Sequence, residues 1–174
     1  MVATIDGTTR DERHASRLDF EEMRALARTS RVTKVAVATG PGSFTGLRVG
    51  VSFGLGLAMG LGVPIVPLPT LDLQAARSDE PATAIVDAGR GRYYFKVPGQ
   101  PAGHGEPAAI PTSHPLVGNV AGRSSLIAAG HRFVPEGRLR RTVDAAAALL
   151  ETAGEVPYRN LEIEYMQSFS ARKG

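Results

Sequence analysis

The sequence predicts a mixed α/β fold. Three observations indicate it: an apolar strand at residues 32–39, a small-residue helix at 43–60 and a second apolar strand at 63–67. Strands that alternate with helices are typical of a sheet with helices packed against it. At 174 residues, the chain is long enough for one compact domain or two small lobes.

Composition excludes several classes of protein. Hydrophobic residues make up 43% and charged residues 21% of the chain, which is ordinary for a globular protein. The chain has no cysteine, which excludes a disulfide scaffold, a thiolate zinc site and a cysteine nucleophile. The net charge is +3, but the basic residues are dispersed, and Arg138, Arg140 and Arg141 form the only tight group. A nucleic-acid-binding domain usually gathers its cations on one face, so this charge predicts weak phosphate contacts at most.

The N-terminal part predicts a hairpin followed by a helix. Asp6-Gly7 is a typical hairpin turn, so residues 1–15 are expected to form an edge strand or a hairpin. Asp19 with Glu22 three residues later has the form of a helix N-terminal cap. The apolar face of that helix comprises Phe20, Met23 and Leu26.

The next segment carries the clearest pattern. The apolar core of strand 32–39 predicts an interior strand covered on both faces. A helix is expected to begin at Ser43 or Thr45. Glycines four residues apart leave a groove that another backbone can approach closely, and they are Gly46, Gly50 and Gly54. After the strand at 63–67, Thr70 is predicted to cap a short helix that ends near residue 76.

The second half predicts a smaller α/β lobe. The polar segment 77–81 is the expected boundary, which gives a first lobe at 1–79 and a second at 80–174. Strands at 83–87 and 92–97 are expected to form a hairpin. Residues 98–115 hold five prolines and three glycines and predict irregular surface. A strand at 116–120, a helix at 124–129 and a helix from residue 142 are expected after it.

One uncharged stretch has the length of a membrane span. Residues 49–68 contain five glycines, and Pro64 and Pro67 interrupt the last third. A continuous helix is needed there, and the sequence offers no second apolar segment to compensate. The expectation is a protein without a membrane-spanning helix.

The glycine-rich turn before the long helix is the candidate site for an anion. Gly40, Gly42 and Ser43 lie between a strand and a helix N-terminus, where free amides and the helix dipole favour negative charge. The segment lacks the lysine–hydroxyl pair of a Walker phosphate loop and the glycine spacing of a dinucleotide fingerprint. A tight turn with a capped helix and a nucleotide- or anion-binding loop both stay open.

Candidate catalytic and metal-binding patterns are poor. No two of His14, His104, His114 and His131 have metal-ligand spacing, and solvent-exposed histidines are expected at all four. A triad of Ser43, His131 and Asp87 fails because Ser43 does not lie in a G-x-S-x-G elbow. Asp87 beside a glycine turn is explained either by turn chemistry, which is favoured, or by a magnesium-binding or catalytic carboxylate.

With these residues in view, residues 40–75 closely resemble the signature region of the bacterial TsaB family, also called YeaZ. The shared run is GPGSFTGLR followed by a small-residue helix and an I/V-P strand. Val86-Asp87-Ala88 with Arg92-Tyr93-Tyr94 is similar to the family's second-lobe hairpin, and Glu164-Tyr165-Met166 to its closing motif, whose final arginine is replaced by Gln167.

The resemblance implies an actin-like, Hsp70-like two-lobe fold of the ribonuclease-H type. Family members begin with an apolar strand, an Asp-Thr-Ser type turn and a hairpin before the first helix. Here only about 15 residues precede that helix, so the first lobe is expected to lack about two strands and its nucleotide cleft to be incomplete.

The resemblance also implies a function. TsaB proteins are non-catalytic subunits that form a heterodimer with TsaD, their catalytic paralogue, which adds threonylcarbamoyl to the transfer RNA adenosine next to the anticodon. TsaE, an ATPase, joins the complex. The implied chain is cytoplasmic, has no catalytic or metal-binding residues, touches tRNA indirectly and binds no cofactor alone, with ATP or ADP as candidates at the partner interface. Without TsaD, a homodimer is expected, because an apolar helical face is left exposed.

In this family the two helices of the first lobe pair with TsaD. Carried onto this sequence, the expected interface comprises Phe20, Met23, Leu26, Ser43, Phe44, Thr45, Leu47 and Arg48. The glycines at 46, 50 and 54 are then expected to serve helix packing, either across the interface, on the chain's own sheet, or both. The alternative function is a stand-alone nucleotide-binding enzyme of the same superfamily, which needs an acidic–hydroxyl turn that the first strand does not show.

Overall fold

The computed structural model describes residues 2–13 and 31–164. Eight strands are assigned in that part of the chain: β1 Val2–Asp6, β2 Thr9–Arg13, β3 Val35–Gly40, β4 Ile65–Pro69, β5 Thr83–Gly89, β6 Arg92–Lys96, β7 Ala102–Gly105 and β8 Leu116–Val117. Four α-helices accompany them: α1 Phe44–Leu61, α2 Thr70–Ala75, α3 Arg123–Ala128 and α4 Thr142–Leu150. Short 3-10 turns lie at Pro107–Ala109, Glu136–Arg138 and Tyr158–Asn160. The predicted mixed α/β fold is confirmed.

The N-terminal segment forms the predicted hairpin. β1 and β2 pair antiparallel from Val2 opposite Arg13 to Asp6 opposite Thr9. Gly7 has φ of +53° at the turn, a backbone conformation that glycine adopts without steric cost. The Glu12 carboxylate accepts a 2.9 Å hydrogen bond from the amide of Val143 at the start of α4. The predicted helix with Phe20, Met23 and Leu26 lies outside the described residues.

The first sheet is built from β3 and β4, which run parallel with Val35 opposite Ile65. The sequence predicted the second of these strands at 63–67, two residues before its observed position at Ile65–Pro69. The prediction that β3 is covered on both faces is wrong, because Ala36 and Ala38 are exposed while Val35 and Val37 are buried. Alanine is apolar enough to suggest a buried face, yet small enough to remain in solvent at little cost.

Helix α1 covers the buried face of this sheet. Ser43 caps its start, as predicted, and Gly62 ends it in the left-handed conformation with φ of +66°. Four residues spaced by four, three and four positions are buried on its inner side, and they are Leu47, Val51, Gly54 and Ala58. This spacing is the α-helical period, so one narrow stripe holds the helix on the sheet.

Gly54 is the contact that sets how closely α1 approaches the sheet. A Cβ added there would lie 2.1 Å from Cγ1 of Val37. Gly54 therefore lets α1 lie close on the chain's own sheet. At Gly50, Gly56 and Gly60, an added Cβ would meet no atom within 4 Å in the described residues beyond its chain neighbours and the nearby backbone of α1.

We expect Gly54→Ala and Gly56→Ala to change stability in opposite directions. The added methyl at 54 must push α1 off Val37, which costs about 1–3 kcal/mol. At 56 the methyl enters open space, so helix propensity should raise stability by about 0.5–1 kcal/mol. Urea denaturation followed by circular dichroism measures both changes. Equal effects of the two substitutions would contradict the packing described for Gly54.

The stretch with the length of a membrane span is divided between two elements. Its first part belongs to α1, and its last part is β4, which pairs with β3. Among the described residues, one helix, α1, is long and apolar enough to cross a membrane by length and composition. One such helix is weak evidence for a membrane span, and the inner stripe of α1 is packed on a sheet.

The second sheet has four strands in the order β7-β6-β5-β8, and β5 and β6 form the predicted hairpin. The prediction of irregular structure across 98–115 missed β7, whose sequence AGHG has weak strand propensity. The pairing is explained by packing, because an added Cβ at Gly103 would lie 2.6 Å from the Phe95 ring. Glycine there lets the backbone of β7 lie directly on that ring.

Helix α2 connects the two sheets. Leu71 packs into the core of the second sheet with Ala84 and Tyr94, and Nζ of Lys96 on β6 lies 2.5 Å from the carboxylate of Asp72. The prediction that Thr70 caps this helix is wrong: Pro69 occupies the cap position, and no side-chain cap is formed. The boundary near residue 80 stays a prediction, since α2 precedes it yet packs on the second sheet.

The C-terminal segment, residues 156–164, returns to the first sheet. Val156 bridges to Ile65, and the Tyr158 hydroxyl lies 2.7 Å from the Val63 carbonyl, to which it donates a hydrogen bond. The amide of Glu164 donates to the Thr39 carbonyl at 2.8 Å. Residues 156–164 are therefore hydrogen-bonded to the chain next to both ends of α1.

Candidate partner-docking site

The glycine turn before α1 is tightly held. The amide of Gly40 donates a 3.1 Å hydrogen bond to the Thr70 hydroxyl, and the Gly40–Pro41 peptide bond is cis. Gly40 has φ of +113°, and an added Cβ would lie 2.7 Å from the Glu164 carbonyl oxygen. Thr70 therefore supports the turn rather than its own helix. Only glycine fits position 40 without strain.

The start of α1 is also capped from within the chain. The Ser43 hydroxyl accepts a hydrogen bond from the Gly46 amide at 3.3 Å, and the Ser43 carbonyl accepts one from Leu47 at 2.8 Å. These contacts fit the interpretation as a tight turn with a capped helix. Anion binding at Gly40, Gly42 and Ser43 stays a prediction, and the Gly40 amide is already bonded to a hydroxyl.

The side of α1 opposite the sheet is exposed and combines apolar with side-chain-free positions. We call it the outer face of α1, and it comprises Thr45, Val49, Gly56, Met59 and Gly60. Val49 is 45% exposed and Met59 58% exposed. Large apolar side chains beside glycines form a surface that a second helix can approach closely.

Four of the predicted interface residues lie at the start of α1 and are accessible to a partner. Ser43, Phe44, Thr45 and Arg48 are exposed. The guanidinium carbon of Arg48 lies 3.8 Å from the centroid of the Phe44 ring, a cation–π contact at the first turn. They lie at the first turn of α1, where Thr45 also belongs to the outer face.

Leu47 corrects the predicted interface. It is only 9% exposed, and its Cδ1 would lie 3.2 Å from a Cβ at Gly40. Its position four residues before the buried Val51 turns it toward the sheet. Leu47 therefore anchors the helix in its own chain and is unavailable to a partner.

Sequence reasoning missed the apolar part of the outer face. Val49 and Met59 were not among the predicted interface residues, although a helical period starting from the inner stripe would have placed both on the far side. Leu61, at the end of α1, is also 40% exposed. The signal was the presence of large apolar residues at positions that the inner stripe does not use.

Asp87 serves a turn, which was the favoured interpretation. Its carboxylate accepts a 2.7 Å hydrogen bond from the Gly89 amide at the β5–β6 connection. Within residues 2–13 and 31–164, no group of three or more histidine, aspartate or glutamate side chains is placed to hold a metal ion.

The expectation of four solvent-exposed histidines is wrong for at least one of them. His131 is 4% exposed, and its Nε2 lies 2.9 Å from the Pro107 carbonyl. His104 is half-buried and lies with its ring centroid 5.0 Å from that of Tyr94. The glycines on either side of His104 in the sequence do not indicate burial. The ring is covered by packing against β6, which is a contact between distant segments. His14 lies outside the described residues.

His104 predicts a dependence of stability on pH. Burial, assisted by the positive charge of Arg92, lowers the pKa of His104 below its ordinary value of 6.5. As the pH falls, the unfolded chain therefore takes up a proton at His104 before the folded chain does. The contribution of neutral His104 to the free energy of unfolding is present above pH 6.5 and is lost at lower pH. The urea midpoint should fall between pH 7.5 and pH 5.5, and this fall should be smaller for His104→Gln than for the wild type. Equal losses would contradict this assignment.

Comparison with known proteins places this helix and turn in a family context. A family model described as "TsaD: tRNA N6-adenosine threonylcarbamoyltransferase" matches residues 13–100, just over half of the chain. A curated relative, the tRNA threonylcarbamoyladenosine biosynthesis protein TsaB of Bacillus subtilis (strain 168), is 41% identical over 66 residues. The protein of the same name from Haemophilus influenzae is 37% identical over 71 residues.

These matches to the curated proteins are partial. They cover 36% and 38% of this chain and 29% and 30% of the two relatives. The chain thus matches under one third of the length of each curated relative.

Solved structures agree over nearly the whole fold. YeaZ from Pseudomonas aeruginosa has a TM-score of 0.67 at 17% identity, over 94% of this chain and 92% of that one. A second structure, of an uncharacterised protein with similarity to peptidase YeaZ from Pseudomonas aeruginosa, has a TM-score of 0.68 at 18% identity, over 95% and 93%. These likenesses show the actin-like α/β fold. The chain belongs to the family that the TsaD model describes, and its relatives place it in the TsaB (YeaZ) branch.

Proposed function

We propose that this chain takes part in threonylcarbamoyladenosine biosynthesis on tRNA as a non-catalytic subunit that binds a TsaD partner through α1. In this proposal TsaD transfers the threonylcarbamoyl group to the adenosine next to the anticodon. TsaE joins the complex as an ATPase. The chain's contribution is to hold TsaD in its active arrangement.

The outer face of α1 is the observation that carries the proposal. Val49 and Met59 expose apolar surface to water, which is unfavourable. A partner helix that covers the two side chains removes this surface from water and so gains binding free energy. Because only about half of each side chain is exposed, covering both completely returns about 1 kcal/mol each. The glycines then allow the two backbones to come close.

The rigid start of α1 supports the same proposal. Ser43 caps the helix, Thr70 and Glu164 hold the turn before it, and Gly54 seats it on β3. A surface fixed in advance loses little conformational entropy when a partner binds. The turn is thus suited to positioning a docking helix, and ATP or ADP between the two subunits remains a candidate ligand.

Reconstitution of the modification reaction tests the proposal. Purified TsaD and TsaE from the same organism are incubated with unmodified tRNA and threonylcarbamoyl adenylate, with and without this chain, and modified adenosine is measured by mass spectrometry. We expect product only when the chain and TsaD are both present. Product formed by the chain without TsaD would contradict the non-catalytic role, and full activity of TsaD without the chain would contradict the activating role.

The exposed outer face also predicts self-association when TsaD is absent. Sedimentation velocity at micromolar concentration is expected to show a dimer that dissociates when TsaD is added. A monomer across that range would contradict this part of the proposal and leave the heterodimer to be judged by reconstitution.

A further inference from the structure

A second surface lies away from α1, in a cleft with a volume of about 710 Å³. Its walls come from the link between α2 and β5 and from residues 132–140. We call it the arginine cleft, and its polar lining comprises Ser78, Asp79, Glu80, Arg132, Arg138 and Arg140. No residue of α1 lines it, so a ligand here and a partner on α1 do not compete for the same side chains.

Two of the arginines form no ion pair within the described residues, and the lining has a net positive charge because its three arginines outnumber Asp79 and Glu80. Arg132 and Arg138 are exposed, and neither side chain forms a hydrogen bond or an ion pair within the described residues. Arg140 differs, because its guanidinium pairs with Asp79. The sequence analysis found cations dispersed along the chain and missed this grouping, since residue 132 is separated from the 138–141 group and folding brings them to one cleft.

The backbone that carries these arginines is fixed. The Arg132 carbonyl accepts a hydrogen bond from Leu116 at 2.7 Å, and the Arg138 amide donates to the Pro135 carbonyl at 2.9 Å. The Val134 amide donates to Leu116 at 3.0 Å between them. The two cations are therefore presented from a rigid frame attached to β8, and less entropy is lost when an anion binds.

The cleft also has an apolar surface next to the cations. Val134 is buried, and Phe133 and Leu139 are half-buried. The guanidinium carbon of Arg123 lies 4.0 Å from the centroid of the Phe133 ring. Arg123 therefore covers the Phe133 ring, and the guanidinium groups left to bind an anion are those of Arg132 and Arg138, which suit phosphate oxygens.

We propose that the arginine cleft binds the phosphate backbone of RNA, with Arg132 and Arg138 as the phosphate contacts. This inference rests on the proposed function, which brings tRNA to the complex. It extends that function, because the sequence implied only indirect contact between this subunit and tRNA.

Binding of unmodified tRNA to the full chain, followed by fluorescence anisotropy at several salt concentrations, tests the proposal. For Arg132→Gln with Arg138→Gln, we expect affinity at 0.1 M salt to fall about tenfold. The slope of log affinity against log salt should become shallower by about 1.5, since each lost phosphate contact removes about 0.7–0.9. An unchanged affinity and slope would overturn the proposal.

Two further variants sharpen the experiment. Arg159→Gln removes an exposed arginine outside the cleft and should leave both quantities close to those of the wild type. Asp79→Asn releases Arg140 and should strengthen tRNA binding several-fold. A loss from Arg159→Gln as large as that of the double variant would indicate nonspecific attraction and overturn the cleft assignment.

Other ligands are distinguished in the same assay. Displacement of tRNA by adenosine monophosphate at micromolar concentration would make the cleft a free-nucleotide site, and displacement by an equal charge of polyglutamate would make it a peptide site. Either result would overturn the assignment to RNA. The cleft variants should still bind TsaD, so loss of RNA binding with TsaD association retained separates this inference from the proposed function.

Discussion

Replacing Val49 and Met59 together by lysine is expected to abolish the complex with TsaD. Both side chains lie on the outer face of α1, 45% and 58% exposed. Burying two ammonium groups in an apolar contact should cost at least about 3 kcal/mol, which weakens binding more than 100-fold. Isothermal titration of the variant with TsaD measures the loss.

The substitutions should leave the fold intact, because lysine is a good helix former and both positions face solvent. Ile127→Lys is the matched control, since Ile127 is 56% exposed on α3, outside the docking site. We expect it to bind TsaD as the wild type does. Wild-type affinity in the double variant, at unchanged urea stability, would show that the partner docks elsewhere.

Gly40→Ala is expected to cause a large loss of stability through the addition of one methyl group. Gly40 combines φ of +113° with a Glu164 carbonyl that would lie 2.7 Å from the added carbon. Backbone strain and displacement of the C-terminal segment together should cost about 2–4 kcal/mol. Urea denaturation measures this cost, and the weakened turn should also reduce TsaD binding.

Gly42→Ala is the control in the same turn. An added Cβ there would meet only the Leu47 side chain, at 3.8 Å, which is ordinary contact, and its φ lies outside the left-handed range. We expect a change below about 1 kcal/mol. If Gly40→Ala were as mild as Gly42→Ala, the described closure of the turn by Glu164 would be wrong.

The sequence was sufficient to predict the segment around α1. A run of apolar residues ending in glycine and proline, a serine cap and the helical period are local signals, and each agreed with the others. The β1–β2 and β5–β6 hairpins followed from the turn residues at Gly7 and Gly89 in the same way. The partner-binding role came from the family resemblance and not from these patterns.

The remaining features depend on contacts between distant segments. β7 forms because glycine lets it lie on Phe95, and Thr70 turns from its own helix to the Gly40 amide. The arginine cleft gathers residues 78–80 with 132–140. None of these contacts has a local signal, since each is decided by a partner tens of residues away along the chain.

The most direct test of the docking site is amide hydrogen exchange of the chain with and without TsaD, read by mass spectrometry. The account predicts that TsaD increases protection across Phe44–Leu61, with little change in α3 and at the arginine cleft. Added protection confined to the second sheet or the cleft, with α1 unchanged, would contradict the claim that α1 is the surface by which this subunit binds its partner.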